Sequence, residues 1–164
     1  MVDAKAACDP ERARVERTFR AAFSRMAGAT SEEAALDETS NLLHHVYRLA
    51  ELTRRRVGDP STLEDLYRRT PGARGALWAR TFDTHEVASV TVLEDRFTDT
   101  FTDLWGDVCW RQLDAAAGFA DDKKGRSRDY EEHLAQHGVL DSLRAVFEGL
   151  LTTLPPPSRA HAAS

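Results

Sequence analysis

Histidine is the side chain best suited to moving protons near neutral pH, and this chain of 164 residues carries six. His44 and His45 sit side by side in a long helical pattern, and His85 is followed directly by Glu86. An imidazole can take or give a proton in a transition state, while a neighbouring carboxylate can fix its tautomer. We therefore expect His44, His45, His85 and Glu86 to be the catalytic set of a pocket, with Arg80 as an anion contact and Trp78 as part of the ligand-binding wall. The expected reaction is acid–base chemistry on a small-molecule ligand, with no cofactor required. Any single histidine can equally be a surface residue or a satisfied core residue, so convergence in space is what decides.

A metal centre is the alternative use of the same residue type. His133 and His137 are four apart, a spacing that puts two imidazoles on one helical face, where a carboxylate such as Glu132 or Asp99 could complete a divalent site. Asp95, Asp99, Asp103 and Asp107 also recur every fourth residue, and a hard cation could take oxygens from Asp99 and Asp103. No His-Glu-x-x-His motif accompanies them. An acidic row of this kind is otherwise a solvated face or one paired with Arg68, Arg69, Arg74 or Arg80. The glycine-rich phosphate loop, the nucleophile elbow and the dinucleotide fingerprint are all missing.

Arg128-Asp129-Tyr130-Glu131-Glu132-His133 resembles the Arg-polar-x-x-x-His motif of the HEPN ribonucleases, which are small, all-helical and dimeric. That resemblance covers six residues and implies that Arg128 and His133 contact and cleave RNA. A third class of reading is a non-catalytic protein-binding subunit of a homo- or hetero-oligomer. It rests on Trp78, Trp105 and Trp110, aromatic anchors of the type enriched at interfaces.

Composition bounds these readings. Hydrophobic residues make up 41% and charged residues 30%, ordinary values for a chain that folds around one core. The net charge of −5 makes nucleic acid an unfavourable partner, and 19 Arg against 3 Lys fits GC-rich coding better than selection for phosphate clamps. With no apolar run of roughly 18 residues and no apolar leader core, no membrane partner is expected. The two cysteines, Cys8 and Cys109, form no metal or disulfide pattern, and a reduced cytoplasmic location is predicted.

The elements that must position these residues are mainly α. Asp9-Pro10-Glu11 starts a helix that Gly28 stops, giving about 10–27. Thr30 with Glu33 has capping-box spacing for a central helix over about 31–57, closed by Gly58. Asp59-Pro60 opens a brief third helix before Pro71-Gly72. The apolar runs on either side of Asp83-Thr84-His85-Glu86 predict a β-hairpin insert at about 75–93, with a helix through Phe82 as the competing reading. Phe97, Phe101 and Trp105 oppose the aspartate row on an amphipathic helix over 94–108, followed by an extended 108–110 and a loop over 115–126. Ser127 caps the next helix, and residues 139–154 form the clearest amphipathic pattern before Pro155-Pro156-Pro157. The prediction is a single helical domain of five or six helices at 10–154, between flexible tails at 1–9 and 155–164.

Overall fold

The structure is a computed structural model, and it describes residues 9–81, 87–90, 108–112 and 125–157. Helix α1 (Pro10–Ala27) begins where the Asp9 carboxylate accepts from the Arg12 amide and Pro10 fills the first turn. Helix α2 (Glu32–Val57) is capped by Ser31, which accepts from the Ala34 amide. Ser31 is extended and one residue nearer the helix than Thr30, so it takes the role predicted for Thr30. Gly58 ends α2 in the left-handed region at φ 72°, behind Arg54, Arg55 and Arg56, whose charge suits a helix C-terminus. Asp59 opens α3 (Pro60–Arg68) by accepting from the Thr62 amide and from the Ser61 and Thr62 hydroxyls, which hold its carboxyl down at about 2. Three further helices follow among the described residues: α4 (Ala73–Ala79), α5 (Arg126–His133) and α6 (Val139–Thr153).

Helix α2 is the centre of the fold and touches α1, α3, α4, α6 and the first strand. Leu36, Leu42, Val46 and Leu49 are fully enclosed, the wide apolar arc expected of a helix packed on several sides. Tyr67 ties α3 down by donating to the Ala50 carbonyl, and burial raises its phenol to about 12. One ion pair ties three helix ends together. Arg56 donates through both terminal nitrogens to Asp9 at 2.6 and 2.9 Å, and through one of them to the Pro155 carbonyl at 2.9 Å. The Arg56 and Asp9 side chains are only 7% and 14% exposed, so this pair is far better shielded than the chain's surface ion pairs.

The predicted hairpin over 75–93 is corrected in its first half, because residues 73–79 are helical. Periodicity left helix and strand open there, and long-range contact decides. Helix α4 crosses α5 so closely that a Cβ on Gly75 would stand 2.6 Å from the Tyr130 Cα and 2.7 Å from its amide nitrogen. At this crossing the buried Asp129 carboxylate accepts from the Gly75 amide at 2.8 Å and so caps α4 from another helix. The strand half survives as β1 (Ala88–Val90), which pairs antiparallel with β2 (Val108–Trp110), Ala88 lying opposite Trp110. Strand β2 also joins the α5–α6 turn: the Trp110 amide donates to the His137 carbonyl, and the Gln136 amide donates to the Trp110 carbonyl. Tyr130 is wholly buried, and its hydroxyl lies 3.0 Å from the Val87 carbonyl and 2.8 Å from that of Arg111, fastening both strands to the helices.

Helix α5 starts at Arg126 behind Gly125 at φ 63°, so Ser127 falls inside its first turn and not at the cap. The predicted helix over 94–108 and the loop over 115–126 lie outside the described residues except at their last positions. Among the described residues no helix is long and apolar enough to cross a membrane.

Candidate functional site

The two adjacent histidines of α2 have different surroundings, since neighbours on a helix point about 100° apart. His44 is exposed and His45 half-buried, their rings edge to face with centroids 5.8 Å apart. Burial pushes the His45 pKa down, aided by the positive charge of His44, Arg25 and Arg48 and opposed by Glu38. Arg25 grips Glu38 with two bonds, of 2.6 and 3.1 Å, joining α1 to α2. Burial therefore favours the neutral form of His45, but among the described residues no carboxylate hydrogen-bonds either ring to fix its tautomer.

Arg80, just past α4, lies over the Tyr47 ring at 3.9 Å. Tyr47 is one turn beyond His44, so the structure brings the predicted anion contact to the helix that carries the histidine pair. Trp78 is half-buried against Tyr130, with ring centroids 5.5 Å apart, which makes it part of the aromatic packing under the strands. Trp110 joins the same group at 1% exposure. The anchor role foreseen for it is thus replaced by a core role. His85, Glu86, Asp99, Asp103 and Trp105 lie outside the described residues.

The premise of the His133–His137 pair is overturned. Helix α5 ends at His133, Leu134 caps it, and Gln136 adopts φ 67°, so the two imidazoles do not share a helical face. His133 lies 3.8 Å from Asp129, whereas a ring nitrogen of His137 contacts the Ala135 carbonyl at 3.0 Å. Among the described residues no three histidine, cysteine or carboxylate side chains cluster as metal ligands would. Arg128 is bound by Glu132 at 2.8 Å, and five residues of helix set it about 140° around the axis from His133. The two residues of the ribonuclease-like motif are therefore engaged by separate carboxylates.

Another concavity was not foreseen. Phe19 of α1 stacks on Phe147 of α6, with centroids 3.8 Å apart and planes 9° apart, and one turn further along Arg144 sits over the Phe23 ring at 4.3 Å. A step up α1 is matched by a step down α6, so these helices are antiparallel here. Between them lies a groove of about 240 Å³ whose apolar floor is continued by Leu151. Its charged rim consists of Glu16, Arg20, Arg144 and Glu148. The volume falls below the roughly 300–1,000 Å³ of pockets that enclose a small organic ligand, but it suits one or two inserted side chains.

Phe19, Phe23, Phe147 and Leu151 were legible as apolar positions of amphipathic helices. What the sequence does not give is the angle at which α6 meets α1, and that angle leaves Phe23 and Leu151 half-buried. The chain matches no protein-family model, and no curated protein or solved structure is similar to it.

Proposed function

We propose that this chain is a non-catalytic protein-binding subunit that receives apolar side chains of a partner in the α1–α6 groove. The observation that carries this reading is the groove's construction: an aromatic floor of Phe19, Phe23 and Phe147, with charges of both signs on its rim. Peptide and helix recognition commonly uses such a surface, with apolar anchors inserted between polar margins. The groove has no histidine in its lining, and His44, His133 and His137 are exposed at other places. This distribution favours binding over the acid–base reading, whose pocket requires imidazoles that converge.

A photo-crosslinking residue at position 151 tests the proposal in living cells, with the same residue at the exposed Asp65 of α3 as the control. A discrete protein adduct from position 151 and none from position 65 supports it. Equal labelling from both positions, or none from position 151, overturns it.

A further inference from the structure

Resting on that reading, we infer that the occupant of the groove is a second copy of this chain, packed so that α1 of each copy lies over α6 of the other. The order of charges along the groove points to this occupant. Phe19 is level with Phe147, which places Arg20 and Glu148 near the middle, Glu16 and Leu151 at one end, and Phe23 with Arg144 at the other. A two-fold axis running along the groove in the plane of contact brings each α1 residue over the α6 residue at the same level of the partner. Arg20 of each copy then meets Glu148 of the other, Phe23 meets Arg144, and Glu16 meets Leu151. At its middle and at the Phe23 end the patch is complementary to itself, the condition that an isologous interface must satisfy.

Three of the four rim charges are available for this use, Glu16 being held by Arg12 at 2.9 Å. The Arg20 side chain is 80% exposed, and its contact with Glu16 is a loose 3.9 Å. Among the described residues Glu148 makes no ion pair, and the interaction of Arg144 is with a ring and not with a carboxylate. Because α1 and α6 are antiparallel, their superposition on a second pair gives four helices in which each contacts antiparallel neighbours, the arrangement of an ordinary four-helix bundle.

The test is the mass of the purified full chain by light scattering at about 100 μM, where an interface of micromolar affinity is filled. Twice the chain mass of 18.3 kDa is expected. Arg20→Glu and Glu148→Arg each set like charges together at two symmetric places, and each is expected to weaken the dimer at least about tenfold. Mixing the two variants sets the new carboxylate at position 20 of one chain opposite the new guanidinium at position 148 of the other, and leaves the native pair on the other side. Diluted to a few micromolar, where each variant alone is mainly monomeric, the mixture should therefore re-form the dimer. A monomeric wild type overturns the inference, as does a dimer untouched by either reversal. If the wild type is monomeric while position 151 still crosslinks to a different protein, the second-copy inference fails and the binding reading stands; without that adduct, both fail.

Discussion

Replacing Gly75 with alanine separates two physical effects of opposite sign. Alanine in a helix interior is favoured over glycine by about 1 kcal/mol, so local propensity predicts a gain in stability. At Gly75 the new Cβ would stand 2.6 Å from the Tyr130 Cα, 2.7 Å from the Tyr130 nitrogen and 3.1 Å from the Asp129 carbonyl carbon. These are backbone atoms of a packed helix, which cannot rotate away as a side chain can. Overpacking of this kind costs about 1–3 kcal/mol. Forcing α5 outward also stretches the 2.8 Å bond from the Gly75 amide to Asp129, and a bond to a charged group contributes about 1.5–3 kcal/mol. The net expectation is a loss of about 2–4 kcal/mol, or roughly 5–15 °C in Tm for a chain of this size. Urea unfolding followed by far-ultraviolet circular dichroism reads the change. A variant as stable as the wild type, or more stable, would refute the close crossing of α4 and α5.

Gly149→Ala brings its Cβ to 2.6 Å from the Thr70 Cγ2, a side-chain atom, so Thr70→Ser should recover much of the lost stability in a double-mutant cycle; strict additivity would contradict this. Tyr130→Phe removes the hydroxyl near Val87 and Arg111 and should cost about 1–2 kcal/mol, with faster hydrogen exchange at the Arg111 amide, which bonds Val87 across the strand ends. Asp9 has a depressed carboxyl pKa, first because Arg56 donates to it, so its contribution is present above the unfolded value near 3.8 and disappears as pH falls through the lower folded value. Asp9→Asn should therefore be less stable than the wild type at pH 7, with the gap closing in acid; a gap independent of pH would show that charge is not the cause. The sign for His45 differs: its folded pKa lies below 6.5, so the unfolded chain takes the proton first and stability drops as pH falls through that window. His45→Gln should flatten this part of the stability profile, and a His45 NMR titration midpoint at or above 6.5 would exclude the mechanism.

The helices whose ends carry their own chemistry were legible in the sequence. Asp9-Pro10 and Gly28 bound α1, Gly58 closes α2, and Pro155 follows the end of α6, because caps and stops act within a few residues. Helix α4 was not legible. Leu77 and Trp78 fit either period, and what fixes the helix is an aspartate 54 positions away together with a glycine that admits another backbone. The pairing of β1 with β2 is likewise non-local. For the functional residues, the adjacency of His44 and His45 was plain, but nothing in sequence spacing reveals that one is exposed and the other half-buried between α1 and α2. The groove shows the same limit, since an apolar helix position reads as core until the neighbouring helix is in place.

The central claim is that partner contact runs through the α1–α6 groove and not through the histidine pair. The most direct measurement is the yield of the adduct from a photo-crosslinker at position 151, compared between an Arg20→Glu background and a His44→Ala, His45→Ala background, each checked for an unchanged fold. Reversing Arg20 is predicted to reduce the adduct strongly, whereas removing both imidazoles should leave it intact. An adduct that survives Arg20→Glu and disappears with the histidines would contradict the claim.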